Sequence, residues 1–121
     1  MKLKRLTPML TVPDVGKAVE FYCQTLGFEL ADQMEGWAVV QKSGVEVMFA
    51  LPNEHVPFDK PHFTGSFYFN VDDVESLWEK LKDTATVFYP MEDFDYGMRE
   101  FAIRDNNGYV LQFGREIPAA S

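Results

Sequence analysis

One stretch of this chain occurs twice. Val12-Pro13-Asp14-Val15 opens a run that continues in Ala18, Val19, Phe21 and Tyr22. Val71-Asp72-Asp73-Val74 opens another, continuing in Leu77, Trp78 and Leu81. Each copy reads as a short apolar strand, an acidic turn and an amphipathic helix. A second echo sets Ser43-Gly44-Val45-Glu46-Val47-Met48-Phe49 against Asn107-Gly108-Tyr109-Val110-Leu111-Gln112-Phe113. Self-similarity on this scale marks a duplicated supersecondary unit, because neither copy alone can bury its apolar face. Two such halves commonly enclose a shared surface, so its lining is where function is sought.

The local signals fill in each half. A first strand is expected over Pro8 to Val12, and Asp14 suits the N-cap of a helix from about Val15 to Thr25. Gly27 suits the left-handed position that ends it. Strands follow near Phe28–Met34, Trp37–Gln41 and Val45–Leu51, with Lys42-Ser43-Gly44 as a hairpin turn between the last two. In the second half the strand is Ser66–Val71 and the helix runs from about Val74 to Lys82, capped by Asp72 or Asp73. Strands Thr86–Tyr89, Arg99–Arg104 and Tyr109–Gly114 follow, with a loop over Glu92–Met98. Asp105-Asn106-Asn107-Gly108 is a turn. The expectation is an α+β fold of two tandem βαβββ modules in one domain over 1–121. Module one covers about 1–53, a connector 54–64, and module two about 65–117.

Charge and composition narrow the partners. A net charge of −8 argues against a phosphate-binding surface of the kind nucleic acid needs and suits a neutral or cationic partner better. No apolar run approaches the ~20 residues that cross a bilayer. Met1 to Pro8 is basic but lacks the apolar segment of a signal peptide, and Cys23 is the one cysteine. A cytoplasmic location is therefore expected. Eleven Phe, five Tyr and two Trp exceed what a core this size demands, leaving aromatics to line a cleft for flat molecules.

Several stretches together resemble the glyoxalase/bleomycin resistance protein/dioxygenase (vicinal oxygen chelate) superfamily. They are Leu10-Thr11-Val12-Pro13-Asp14-Val15, Ala18-Val19-Glu20-Phe21-Tyr22, Leu26-Gly27-Phe28 and Tyr96-Gly97-Met98-Arg99-Glu100-Phe101-Ala102-Ile103-Arg104-Asp105. With Gly108 and the paired modules, the likeness spans nearly the whole chain. It implies curved mixed sheets around a cleft. The sequence is most similar to the bleomycin resistance branch: Pro8 matches a proline where the N-terminal strand crosses to a partner subunit, implying a homodimer with strand exchange near Pro8. The plainer reading of Pro8 is an edge-strand proline.

Metal-dependent members carry one ligand on each of four strands, and the matching positions here are Thr7, Met48, Ser66 and Gln112. Catalytic divalent ions take imidazole or carboxylate, whereas a thioether suits soft ions. Of the four, Gln112 alone offers a fitting donor, an amide oxygen. His62 falls at the rim of the strand and His55 in the connector, both read as solvent-exposed. Neither a metal, a cofactor nor a catalytic residue is expected.

Alternation along the strands extends the ligand-facing positions. The first half offers Thr7, Met9, Thr11, Glu46, Met48 and Ala50; the second offers Ser66, Tyr68, Asn70, Val110, Gln112 and Gly114. Apolar walls with a few directional polar groups suit a binding pocket. The expected ligand-binding residues are Tyr68, Tyr96, Met48, Gln112, Ser66, Asn70 and Trp37. Tyr68 and Tyr96 match places from which the bleomycin resistance proteins stack aromatics on planar heterocycles. The alternative for Tyr68 is a core tyrosine with a satisfied hydroxyl. Arg99 and Glu100 match the family run, but adjacent opposite charges on a strand read as solvated or structural. Cys23 reads as an unreactive buried thiol.

The function expected is non-catalytic binding of a small molecule, bleomycin-like as the concrete candidate. The alternatives are a metal-dependent glyoxalase- or dioxygenase-type enzyme and a ligand-free dimeric scaffold.

Overall fold

The computed structural model describes residues 1–52, 58–63 and 65–118. The chain divides into two compact units, Met1–Pro61 and His62–Ser121. Of the connector expected at 54–64, residues 54–57, with His55, and residue 64 lie outside the described residues.

In the first unit, strand β1 (Met9–Thr11) leads through Asp14 into helix α1 (Val15–Glu20). The Asp14 carboxylate accepts from the Lys17 backbone N–H at 3.0 Å, satisfying one of the donors a helix start leaves open. The expected helix to Thr25 ends differently. Phe21–Thr25 is a π-helical turn, a widening that apolar periodicity does not register. Strands β2 (Glu29–Met34), β3 (Trp37–Lys42) and β4 (Val45–Ala50) complete a sheet in the order β1-β4-β3-β2, with β1 parallel to β4 and the rest antiparallel. Lys42 pairs with Val45 across Ser43 (φ 52°) and Gly44 (φ 82°), the two-residue turn with both positions left-handed that matches strand twist. Tyr22 is fully buried against Phe28 and Phe49 and anchors this unit's core.

The second unit repeats the plan. Strand β5 (Phe67–Asn70), helix α2 (Val74–Leu81), and strands β6 (Thr86–Phe94), β7 (Met98–Arg104) and β8 (Val110–Glu116) give the order β5-β8-β7-β6. Asp73, not Asp72, is the cap, accepting from the Ser76 N–H at 3.0 Å. The duplication extends to register: Met9 pairs with Met48 as Tyr68 pairs with Gln112.

Strand β6 runs to Phe94, past Tyr89, where the sequence predicts its end, and through Pro90. It lies at the sheet edge, and its register shifts between Val87 and Tyr89 and again between Tyr89 and Glu92. Proline is tolerated at an edge and beside bulges. The expected loop over Glu92–Met98 is therefore a tight hairpin at Asp95-Tyr96-Gly97, closed by a Gly97 N–H to Phe94 carbonyl bond of 3.0 Å.

Helix α2 covers one face of this sheet through Trp78, which meets Phe101 at a tilt, while Phe101, Phe113 and Phe69 stack in turn, all with centroids 5.1–5.4 Å apart. On that side Glu75 binds Arg99 and Arg115, which face each other on β7 and β8. Asp93 grips Arg99 through two bonds of 2.6 and 3.1 Å. Arg115 above all holds the Glu75 carboxyl down at about 2. Two arginines directly opposite would repel; the two carboxylates make them a clamp between helix and sheet.

Candidate functional site

Strand alternation sends Phe67, Phe69, Phe101 and Phe113 toward α2. It sends Tyr68, Asn70, Glu100, Gln112 and Gly114 to the other face of the second sheet. Glu100 is the centre of that face. Far from being a solvated charge, it is 0% exposed. Tyr68 donates its hydroxyl to one carboxylate oxygen at 2.9 Å and Tyr89 donates to the other, while the Tyr96 hydroxyl is near enough to couple to the charge. The Gln112 amide adds a longer contact of 3.4 Å. Among the described residues, no Lys, Arg or His forms an ion pair with Glu100.

A buried carboxylate without a cation costs several kcal/mol unless donors replace its water. Here phenols do so, each bond to a charged group contributing ~1.5–3 kcal/mol. Burial alone would raise the Glu100 pKa; the hydroxyls of Tyr89, Tyr96 and Tyr68 together with Gln112 outweigh it and hold the carboxyl below its ordinary range. The phenols respond in the opposite sense. Burial first, with the Glu100 charge, pushes Tyr89 up to about 12 against an opposing bond from Gln112. Tyr68 and Tyr96 are raised further.

The reach of Tyr68 needs a particular backbone. Tyr68 is on β5 and Glu100 on β7, with β8 between them. Strands lie ~4.8 Å apart, so the ring must cross over β8. The residue beneath it is Gly114, cross-strand partner of Glu100. A Cβ there would stand 2.9 Å from Tyr68 Cζ, closer still to its hydroxyl, and 3.1 Å from Glu100 Cβ. Glycine inside a strand marks such a close approach.

Around this centre lies an aromatic rim. Tyr96 stacks on Phe94 (5.4 Å, 9°), and Phe94 meets Tyr89 edge-on at 5.7 Å. Although its hydroxyl is tethered, Tyr68 is 39% exposed, and Tyr96 is 62% exposed. Rings therefore reach solvent while the charge beneath them does not.

Of the expected site residues, Tyr68, Tyr96, Gln112 and Ser66 come together here. Ser66 donates to the Gln112 amide oxygen, and the Gln112 NH2 donates to Tyr89 at 2.8 Å. Asn70 lies farther along the same face, exposed and in register with Gly114. Met48 and Trp37 belong to the first unit, half-buried on β4 and β3. Glu46 is engaged by Arg5 at 2.9 Å and, more weakly, by Thr7 at 3.5 Å. Glu100 and Tyr89 are the members that strand reading passed over.

The residues at the family's metal positions do not suit a catalytic ion. Thr7 and Ser66 are neutral hydroxyls, Met48 a thioether, and Gln112 alone offers an amide oxygen, which accepts from Ser66. Among the described residues no three His, Cys, Asp or Glu side chains gather as a metal site. Cys23 is half-buried rather than fully buried, and burial, then Glu29, raise its thiol pKa, the opposite of nucleophile activation. His62 is exposed, as expected. Among the described residues no helix is long and apolar enough to cross a membrane.

Comparison with known proteins agrees with this architecture. A bleomycin resistance protein of Geobacillus stearothermophilus is 25% identical over 126 aligned residues, spanning 91% of this chain and 95% of that one. In fold, the chain is similar to TioX from Micromonospora sp. ML1 (TM-score 0.76, 22% identity, 94% of this chain and 99% of that one). It is similar too to a glyoxalase/bleomycin resistance protein/dioxygenase from Nocardioides (TM-score 0.80, 18% identity, 100% and 89%). The sequence model of the Glyoxalase/Bleomycin resistance protein/Dioxygenase superfamily matches residues 3–113, and the chain belongs to that superfamily.

Proposed function

We propose that this protein is a non-catalytic binding protein of bleomycin resistance type, which sequesters a cationic or aromatic antibiotic-like small molecule. The observation that carries this reading is the outer face of the second sheet. The rings of Tyr68 and Tyr96 stand exposed there, Tyr68 tethered through its hydroxyl to a buried, ionised carboxylate. Such a face can stack on a planar ligand and orient it, and its phenols, raised in pKa, stay protonated at neutral pH. Similarity to a bleomycin resistance protein over nearly its whole length supports the same reading. We further propose a cytoplasmic homodimer that places this face in a cleft, with exchange of the N-terminal strand near Pro8. In the single chain the Pro8 carbonyl accepts from the Met48 N–H at 2.9 Å, the pairing that a partner's strand would take over.

The test is a calorimetric titration of metal-free and copper-loaded bleomycin into the purified protein. Saturation near one drug per subunit supports sequestration; no heat with either form removes bleomycin as the ligand. Sedimentation at micromolar concentration tests the dimer, and a monomer there removes the strand exchange.

A further inference from the structure

The buried carboxylate has a consequence for what can bind. Glu100 accepts hydrogen bonds from two phenols and, more weakly, an amide and is fully buried, so it is closed to direct contact with a ligand. Its charge, however, is uncompensated by any ion pair among the described residues, and it sits in a low-dielectric setting where fields are weakly screened. A phenol donating to a carboxylate carries more electron density in its ring, and ring faces attract cations through their quadrupole. Phe94 covers one face of Tyr96, yet Tyr96 remains 62% exposed, so its other face is open. The same face of the sheet already seats one cation on an aromatic: the guanidinium carbon of Arg104 lies 4.6 Å from the centroid of Phe88. A further carboxylate, Glu92, is the exposed cross-strand partner of Glu100.

We propose that Glu100 is a specificity residue acting through Tyr68 and Tyr96, which selects planar organic cations with delocalised or alkylated charge over neutral aromatics of the same shape. The charge complementarity is with a soft cation. A primary ammonium needs acceptors for its donors, and Glu100 is buried out of its reach; a quaternary or ring nitrogen needs only the ring faces. This inference rests on the binding function proposed above, and deepens it by naming the ligand class. It carries no requirement that the ligand be bleomycin.

The experiment compares 10-methylacridinium with acridine, at mildly alkaline pH where acridine is uncharged, by fluorescence titration. Wild-type protein should bind the cation on the order of tenfold more tightly, and Glu100→Gln should bring the ratio of the two affinities close to unity. Because Glu100 is buried, Tyr96→Leu on the exposed hairpin serves as the second variant, and should cost the cation more affinity than acridine. Equal affinities in the wild type, or a preference that survives Glu100→Gln in folded protein, would overturn the inference while leaving aromatic binding intact. Failure of both acridines to bind would overturn the binding reading itself and the inference with it.

Discussion

Tyr68 lies in the space that a side chain at residue 114 would occupy. Its ring passes over Gly114 to place the hydroxyl 2.9 Å from Glu100. Glycine is therefore a condition of the network and not a packing accident. Gly114→Ala should expel the Tyr68 ring, leave one donor to Glu100 unmade, and cost ~1–3 kcal/mol in urea denaturation. In a Tyr68→Ala background the same substitution should cost much less, because the clashing atoms are gone. Additive losses would show that the two residues do not share this space.

The three phenols should not be equivalent. Tyr89 is half-buried and bonded to both Glu100 and Gln112, whereas Tyr96 is mostly exposed. Tyr89→Phe should destabilise by ~1.5–3 kcal/mol and Tyr96→Phe by less than about 1 kcal/mol, since water can replace the latter's hydroxyl. Chemical denaturation of both variants checks the order.

Acid should act through lowered carboxyls. A folded-state pKa below the ordinary 4.5 means stabilisation that is present above pH 4.5 and is lost as pH falls through the folded value. Glu100 and Glu75 both have this sign, Glu75 reaching about 2. Unfolding midpoints should therefore fall from about pH 4.5 toward pH 2. Glu75→Gln should flatten the lower part of that decline, and an unchanged profile would remove the Arg115–Glu75 clamp from the explanation.

Alkali tests the phenols. Tyr68, Tyr89 and Tyr96 ionise above the ordinary 10.0, Tyr89 near 12, so their stabilisation is complete below pH 10 and lost as pH rises through the raised values. Phenolate absorbance should show a late-titrating group in the wild type, moving to lower pH in Glu100→Gln. A single transition near 10 in the wild type would mean the hydroxyls do not face an ionised Glu100.

Much of this was readable before the fold was known, for physical reasons. The repeat predicted both βαβββ units because neither copy can bury its own apolar face. Asp14 and the Ser43-Gly44 turn carry local chemistry that acts wherever it occurs. Alternation put Ser66, Tyr68 and Gln112 on one face. It placed Arg99 and Glu100 on opposite faces, but could not say which of them would be enclosed, because that depends on what lies across the sheet. Tyr89 ends the expected strand Thr86–Tyr89, but the register shifts that turn it toward Glu100 are not written in a strand pattern. The one available hint was Gly114, a glycine inside a strand within a ladder of the tyrosine it accommodates.

The most direct measurement is the affinity of bleomycin for Tyr68→Ala and Tyr96→Ala beside the wild type, by calorimetry on protein whose unfolding midpoint is recorded in parallel. The account predicts saturable wild-type binding, and at least about tenfold weaker binding in each variant, as loss of a stacking platform entails, with Tyr96→Ala still folded. Wild-type affinity retained in both variants would contradict it, placing the drug somewhere other than the tyrosine face above Glu100.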